Sequence, residues 1–183
     1  MNPHLNKDKH KIIRVAAISD THDMPLNDAT VALLESCDHI IHAGDFCSPA
    51  AYAQIKSMGK LTAVYGNSDS YEVRQMLTER NTLELGGVRI GVAHRAQLSQ
   101  NDTTGAYYLA KEMDVDCLVF GHTHTPVVES SDILLVCPGS PTTPRMADPS
   151  IAVLTIKDSA ISCELIPVGL SSCDYIQSMR SFK

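Results

Sequence analysis

Short apolar segments alternate with helix-like segments over most of the chain, and this alternation limits the fold more than any other feature. Five segments have the composition of buried strands: RVAAIS, HIIHAG, LTAVYG, VRIGVAH and DCLVF. Four segments between them are predicted as helices: 27–37 with Asn27 or Asp28 as N-cap, 48–59 with Ser48, 70–80 with Ser70, and 104–114. Strands that alternate with helices predict an α/β domain.

The final third of the chain has a different pattern. Four short strand-like segments follow one another without a helix between them: PVVES, ILLVC, SIAVLTI and ISCELIPV. Gly86-Gly87, between TLEL and VRIGVAH, predicts a further hairpin. We therefore expect a polar, flexible N-terminal extension at residues 1–11, followed by a single domain at residues 12–183.

Each of the five apolar strands ends in a side chain that can bind a metal ion. The seven candidates are Asp20, His22, Asp45, Asn67, His94, His122 and His124. The carboxyl ends of strands form the ligand crevice in open α/β sheets, so these side chains are predicted to converge. Glycines at 44, 66 and 121 are predicted to let the backbone turn sharply just before the candidates.

The number and type of these groups indicate the metal. One first-row ion takes about four to six ligands, so seven protein groups favour two ions with one shared carboxylate. Nitrogen and oxygen ligands without thiolate suit Mn²⁺, Fe, Zn²⁺, Co²⁺ or Ni²⁺ and disfavour Ca²⁺. With two carboxylates and one hydroxide, two divalent ions leave a net charge of about +1, which attracts a phosphate ester.

Composition excludes several other classes of protein. The chain has 183 residues and a formal net charge of −6, with no run of Lys or Arg, so a nucleic-acid polymer is not expected as a partner. The first eleven residues lack the apolar core of a signal peptide, and no apolar stretch is long enough to span a bilayer. Six cysteines without a C-x-x-C motif are interpreted as free thiols, which favours the cytoplasm. Homo-oligomerisation stays open.

The motifs, in their order along the chain, resemble the calcineurin-like metallophosphoesterase superfamily. They are D-x-H at Asp20, G-D at Asp45, G-N-x-D at Asn67, a strand-end His94, and G-H-T-H at 121–124. The short chain and the GNSD form resemble the small YfcE-type phosphodiesterase branch, as does CPGSPTTPR at 137–145. The resemblance covers roughly residues 13–168. It implies an α/β fold, a four-layer αββα sandwich of two mixed β-sheets.

The resemblance also implies roles for the seven candidates. Asp20, His22 and His124 would hold a first ion, and Asn67, His94 and His122 a second, with Asp45 as the bridge. Asn67 and His94 are the catalytic candidates, and Asn67 would also help to position the ester. The implied activity is hydrolysis of phosphate esters, diesters above all, by in-line attack of a metal-bridging hydroxide, with Mn²⁺ favoured and a small phosphate ester as substrate.

Two positions depart from the superfamily pattern. Ser68 stands where many members have a histidine that is often assigned as the leaving-group acid, and it is interpreted as a small turn residue. Arg95 and Ala96 stand where the family often has Gly and His. Asp69 either bonds the loop backbone or orients a ligand, while His39 and His42 are interpreted as packing or surface residues.

Two alternatives remain open from the sequence. One is a non-catalytic interaction scaffold on the same fold, like the retromer subunit that resembles this family but departs from the full ligand pattern. The other is a phosphomonoesterase or nucleotide pyrophosphatase. The complete set of seven candidates favours catalysis over the scaffold.

Overall fold

The computed structural model describes residues 11–96 and 102–170. These residues form ten strands: β1 (Ile13–Ile18), β2 (His39–His42), β3 (Leu61–Ala63), β4 (Arg80–Leu85), β5 (Val88–Ala93), β6 (Cys117–Val119), β7 (Val127–Ser130), β8 (Leu134–Cys137), β9 (Ser150–Lys157) and β10 (Ala160–Pro167). They also form four helices: α1 (Asp28–Glu35), α2 (Pro49–Ser57), α3 (Tyr71–Met76) and α4 (Thr104–Met113). The predictions for residues 1–10 and 171–183 lie outside the described residues.

The strands form two five-stranded sheets, with the orders β10-β9-β1-β2-β3 and β4-β5-β6-β8-β7. Each sheet is mixed: β1, β2 and β3 pair in parallel, as do β5, β6 and β8, while β9, β10, β4 and β7 run antiparallel to their neighbours. The β4–β5 pairing confirms the hairpin predicted at Gly86-Gly87.

Buried side chains separate the molecule into four layers. One apolar cluster joins the two sheets and includes Val15 and Ile41 from the first and Val92 and Val119 from the second. A second cluster joins the outer face of the first sheet to α1, α2 and α3, and a third joins the second sheet to α4. A sheet with one face covered by helices and the other by a second sheet buries both faces, which explains the nearly continuous apolar composition of β1, β5 and β6. The predicted αββα sandwich is confirmed.

Side-chain caps set the helix starts as predicted. Asn27 accepts a hydrogen bond from the Thr30 backbone N–H, and Ser48 and Ser70 accept equivalent bonds at the starts of α2 and α3. The predicted end of the third helix was wrong. It stops at Met76 rather than continuing to 80, because Thr78 bridges Val64 and Arg80 begins β4.

The strand ends that carry the candidate ligands belong to both sheets. β1, β2 and β3 come from the first sheet, while β5 and β6 come from the second. The crevice is therefore formed where the ends of two stacked sheets meet, rather than along one sheet. The described residues contain no helix that is long and apolar enough to cross a membrane, and the five cysteines among them are unpaired.

Candidate metal centre

The first group of candidate ligands consists of Asp20, His22 and His124, which the loops after β1 and β6 bring together. One ligand atom from each lies within 4.8 Å of the others. His124 Nε2 lies 3.3 Å from Asp20 Oδ1, and His22 Nε2 lies 3.9 Å from the same oxygen. The two Nε2 atoms are 3.2 Å apart. These are the three residues that the family resemblance assigned to one ion.

Asp45 and His94 form the centre of the second group. His94 Nε2 lies 3.4 Å from Asp45 Oδ2 and 3.1 Å from Asn67 Oδ1. Asp45 Oδ2 also lies 3.7 Å from His22 Nε2, so this oxygen lies between the two groups. Asp20 also lies close to Asp45 and His94, so it belongs to both groups. Two carboxylates, Asp20 and Asp45, therefore lie between the two groups, where the sequence predicted one.

These distances fit a metal centre. An ion with bonds of 2.0–2.2 Å has adjacent ligand atoms about 2.8–3.6 Å apart in octahedral or tetrahedral geometry. The pairs of atoms around Asp20 and Asp45 are 3.2–3.9 Å apart, which is close to that range. Among the described residues, Asp20 Oδ1 is the one buried side-chain oxygen or nitrogen without a hydrogen-bond partner. A fully buried carboxylate oxygen is costly without a partner, and a cation would supply one.

Backbone carbonyls fix the orientation of two of the histidines. His94 Nδ1 donates to the Ala43 carbonyl at 2.8 Å, and His124 Nδ1 donates to the Thr143 carbonyl at 2.6 Å. A carbonyl only accepts, so each Nδ1 carries the proton and each Nε2 presents its lone pair to the centre when the ring is neutral. This arrangement is common among metal-binding histidines.

His22 is held differently, by the thiol of Cys47. Its Nδ1 lies 3.3 Å from Cys47 Sγ. Burial, together with the nearby Asp23 and Asp45 carboxylates, raises the pKa of the Cys47 thiol to about 11. In the absence of a cation, Cys47 is therefore a neutral thiol beside His22.

Ser68 and Asp69 hold Asp45 in place. The Ser68 N–H donates to Asp45 Oδ1 at 2.7 Å, and the Ser68 hydroxyl donates to Oδ2 at 2.8 Å. The buried Asp69 carboxylate accepts from the backbone N–H groups of Asp45, Cys47 and Gly66. Asp69 thus bonds the loop backbone, which was one of the two roles left open. Ser68 does more than fill a turn. This role was missed because a contact between residues 23 positions apart leaves no local signal in the sequence.

The CPGSPTTPR segment holds the loop that carries Asp20. The Ser140 hydroxyl donates to the Asp20 carbonyl at 2.7 Å, and the Thr142 hydroxyl donates to the Thr21 carbonyl at 2.9 Å. The Thr143 hydroxyl also donates to the Asp20 carbonyl at 3.2 Å. The Thr143 carbonyl accepts from His124 Nδ1 and so orients that ring. The segment was noted only for its resemblance to the family, and its residues now have a structural role.

Five of the seven candidate ligands have a left-handed backbone. Positive φ angles occur at Asp20 (56°), His22 (47°), Asp45 (63°), His122 (76°) and His124 (58°). Such angles are uncommon outside glycine, and they cluster at functional sites where the surrounding structure enforces them. The hydrogen bonds to the Asp20 and Asp45 loops provide that support.

The glycines near the centre do not share one role, contrary to the prediction. Gly44 has a φ of 93°, so it does make a turn that other residues rarely adopt. Gly66 and Gly121 have ordinary φ angles, and glycine is needed there because a side chain would collide with neighbouring atoms. A Cβ on Gly66 would lie 2.2 Å from Asp45 Oδ1, and one on Gly121 would lie 1.9 Å from Ser19 Oγ.

The carboxylates and histidines of the centre shift each other's pKa values. Burial opposes ionisation of both carboxylates, but His94 and the Ser68 hydrogen bonds outweigh it at Asp45, and the nearby His124 and His94 outweigh it at Asp20, so both pKa values are lowered. Burial also opposes protonation of His94 and His124, yet the neighbouring carboxylates raise both pKa values. The carboxylates and these two histidines therefore stabilise each other's charged forms.

His122 has a less expected position. The His122 ring lies 5.3 Å from the His94 ring, centroid to centroid, but its nitrogens join neither close group. Its backbone N–H donates to Asp20 Oδ2.

His42 is fully buried, accepts from the Gly44 N–H through Nδ1 and stacks on Phe46. It is therefore a packing residue, as interpreted from the sequence, and it also supports the turn before Asp45.

Comparison with known proteins agrees with this geometry. The calcineurin-like phosphoesterase superfamily domain matches residues 13–159. The chain belongs to this superfamily. It is 34% identical to a probable metallophosphoesterase of Methanothermobacter thermautotrophicus over 172 residues, covering 91% of this chain and 99% of the relative. A probable metallophosphoesterase of Methanocaldococcus jannaschii is 37% identical over 160 residues, covering 84% of this chain and 81% of the relative.

Other similar proteins are more distant. A phosphodiesterase of Methanocaldococcus jannaschii is 25% identical, covering 69% of this chain and 83% of the relative. Vacuolar Protein Sorting 29 from Cryptosporidium parvum has a TM-score of 0.72 at 22% identity, covering 86% of this chain and 98% of that one. A Streptococcus pneumoniae protein described as a predicted phosphoesterase has a TM-score of 0.67 at 24% identity, covering 86% and 90%. These two structures share the fold.

Proposed function

We propose that this protein is a metal-dependent phosphoric ester hydrolase that acts on phosphodiesters. The observation that carries the proposal is Asp20 Oδ1, a buried oxygen without a hydrogen-bond partner among the described residues, with histidine nitrogens 3.3 and 3.9 Å away. A bound cation would offset the cost of burying this carboxylate. Membership of the phosphoesterase superfamily supports the reaction class.

Two divalent ions are proposed, with Mn²⁺ favoured. Asp20, His22 and His124 would hold one, Asn67, His94 and His122 would hold the other, and Asp45 would be shared. When bound, such ions supply a hydroxide for in-line attack at phosphorus and offset charge on the phosphoryl oxygens. The support for a shared Asp45 is that its Oδ2 lies 3.7 Å from His22 Nε2 and 3.4 Å from His94 Nε2.

The chain's own residues keep this centre in one geometry. The Ala43 and Thr143 carbonyls hold the His94 and His124 rings, so neither must reorganise during turnover. The Ser68 hydroxyl and N–H keep both oxygens of Asp45 in place. Asn67 is exposed and lies at the outer side of the centre, where it can contact both an ion and an incoming ester.

Three arguments bear on the substrate: two favour a diester over a monoester, and one concerns the leaving group. One relative is named a phosphodiesterase. In addition, Ser68 stands where a histidine acid would be expected, and a hydroxyl is a poor general acid near neutral pH. A leaving oxygen that departs without a proton favours activated aryl esters. A doubly charged monoester would bind the cations more strongly in the ground state, which does not raise kcat.

A metal-by-substrate matrix tests the proposal. Chelator-treated protein is reloaded with Mn²⁺, Fe²⁺, Zn²⁺, Co²⁺ or Ni²⁺ and assayed against bis(p-nitrophenyl) phosphate and p-nitrophenyl phosphate. We expect activity only after reloading, highest with Mn²⁺, and a higher kcat/KM for the diester. Across aryl diesters of graded leaving-group pKa, the rate should fall steeply as that pKa rises. A preference for the monoester would move the protein to the phosphomonoesterase alternative.

A non-catalytic scaffold is the second candidate, and the fold shared with Vacuolar Protein Sorting 29 favours it. The complete set of candidate ligands argues against it. If no ion in the matrix supports hydrolysis while metal binding is intact, the scaffold becomes the better account.

A further inference from the structure

A pocket lined by arginines opens beside the candidate metal centre. Its volume is about 180 Å³. The lining includes Asn67 and His94, so one wall belongs to the second group of ligands. The pocket is smaller than the ~300 Å³ at the lower end for whole drug-sized ligands, so it suits one substituent of a substrate.

The charge of the pocket is opposite to that of the whole chain. Arg74, Arg80 and Arg95 line it together with Glu79, which gives a local charge of +2 in a chain with a net charge of −6. Arginine matches the planar, two-oxygen geometry of phosphate and carboxylate. A concave positive surface in an acidic protein concentrates anions at that place.

Two of these guanidinium groups are already positioned. Arg74 donates through Nε to the Asp69 carbonyl at 3.0 Å and through Nη2 to the Asn67 carbonyl at 2.6 Å. Arg95 Nε donates to Asn67 Oδ1 at 3.2 Å. Each guanidinium carries five N–H donors, so several stay available for a ligand.

Arg80 is also available to a ligand. Its ion pair with Glu112 is on the surface, with side chains 46% and 68% exposed. Exposed ion pairs of this kind contribute little to stability, so a phosphate can compete for the guanidinium.

The pocket favours an anion over a stacked base. Tyr65 is its aromatic residue, but the Arg74 guanidinium lies over that ring, 5.7 Å from the centroid. The face that a base could use is therefore partly covered by a cation.

We propose that this pocket binds a second anionic group, a phosphate or a carboxylate, on the substrate. The inference rests on the proposed phosphodiesterase activity and names its substrate class: a phosphodiester with a further anionic group near the scissile bond. Arg80 determines this specificity without contacting the reacting atoms. Glu79 weakens it through its negative charge.

The kinetic test uses two substrates that differ by one phosphate. They are the p-nitrophenyl ester of thymidine 5′-phosphate and the same ester with an added 3′-phosphate. We expect wild-type protein to prefer the phosphorylated substrate at least about tenfold in kcat/KM, and Arg80→Gln to remove about tenfold of that preference. The matched control is Arg89→Gln, because Arg89 is also 46% exposed and also paired with a surface carboxylate, that of Asp114, but does not line the pocket.

A binding test separates the pocket from the activity. Isothermal titration of the chelator-treated protein with inorganic pyrophosphate should show binding that Arg80→Gln weakens about tenfold and Glu79→Gln strengthens about twofold. Malonate in place of pyrophosphate distinguishes the source: similar binding means that a carboxylate is accepted, and pyrophosphate binding alone means that a phosphate is required. Either result supports the anion pocket.

The outcomes are distinguishable. If neither ester is hydrolysed but pyrophosphate binding depends on Arg80, the proposed activity fails and the pocket stands. If both esters are hydrolysed with equal kcat/KM and Arg80→Gln changes neither the ratio nor pyrophosphate binding, the pocket proposal is overturned.

Discussion

The two halves of the candidate metal centre differ in how firmly the protein holds them. Asp20 and His124 are buried, and four hydroxyl or carbonyl contacts from the 140–143 segment fix their loops. In the other half, His94 is buried and fixed, but Asn67 is exposed and His122 is half-buried. The Asn67 Oδ1 atom contacts His94 and Arg95 in place of a cation.

This difference indicates a division of roles. A preorganised set of ligands binds an ion without a reorganisation cost, whereas an exposed set must first release its existing contacts. We therefore expect the Asp20 half to bind its ion more tightly and the Asn67 half to face the substrate. The arginine pocket opens on the Asn67 side, which agrees with this division.

The largest effect is expected from Asp45→Asn, because Asp45 lies between the two halves. Loss of its charge should lower kcat/KM at least about a thousandfold and reduce bound metal, since both ions lose a ligand. Enzyme assays and elemental analysis measure this. Asp132→Asn is the control, because this exposed carboxylate pairs with Lys111 away from the centre. Full activity in Asp45→Asn would remove the shared ligand from the proposal.

A direct comparison of the halves uses His124→Ala and His94→Ala. Each should lower kcat/KM by about a hundredfold or more, as expected for loss of a metal ligand. Metal content should separate them: His94→Ala should keep about one tightly bound equivalent, while His124→Ala should lose the tighter of two binding steps in a titration. Equal losses in the two variants would mean that the halves do not differ.

The pH dependence of the free energy of unfolding tests His42, the buried residue that supports the turn before Asp45. Burial lowers the pKa of His42 to about 3, against an ordinary value of 6.5. As the pH falls below 6.5, the unfolded chain gains a proton at His42 that the folded chain does not, so stability is lost down to about pH 3. The slope from this residue reaches about 1.4 kcal/mol per pH unit.

Denaturant unfolding at pH 7, 6, 5 and 4 measures this slope. His42→Asn should flatten it, because asparagine does not titrate and its Oδ1 can still accept from the Gly44 N–H. His39→Asn is the comparison on the same strand and should flatten the slope less, because His39 is only half-buried and burial lowers its pKa less strongly. The assignment fails if wild type and His42→Asn lose stability in parallel.

The smallest effect is expected from Ser68→Ala, which removes one of the two hydrogen bonds to Asp45 and leaves the backbone bond. A bond to a charged group contributes about 1.5–3 kcal/mol, so activity should fall by about ten- to a hundredfold. Ser57→Ala is the control, because the Ser57 hydroxyl bonds only the Gln54 carbonyl on the surface. An unchanged kcat/KM would show that the backbone N–H alone holds Asp45.

The sequence predicted the parts of this molecule that depend on local pattern. The strand ends, the helix caps at Asn27, Ser48 and Ser70, and the hairpin at Gly86 follow from residues a few positions apart. The grouping of Asp20, His22 and His124 needed the family resemblance as well. What was missed depends on contacts across the fold, such as Ser68 with Asp45.

Two errors have the same origin. The third helix ends early because Thr78 and Arg80 pair with other strands, and tertiary pairing overrides helical propensity. Gly66 was interpreted through its conformational freedom, but its reason is the backbone and side chain of Asp45, which approach it from a different loop. Neither neighbour is visible in the local sequence.

The left-handed backbone of the histidine ligands has a consequence for protein engineering. At His22, His122 and His124, an L-residue loses about 1–2 kcal/mol to steric strain, whereas glycine loses only about 0.5–1 kcal/mol to chain entropy. A library selected for thermostability alone would therefore enrich glycine at His22 and His122, whose side chains are partly exposed, whereas the buried His124 ring also contributes packing and a hydrogen bond to the Thr143 carbonyl. Each gain in melting temperature there would cost a candidate ligand, so stability and metal binding are opposed at these residues, and selection on this scaffold needs a metal-dependent readout from its first round.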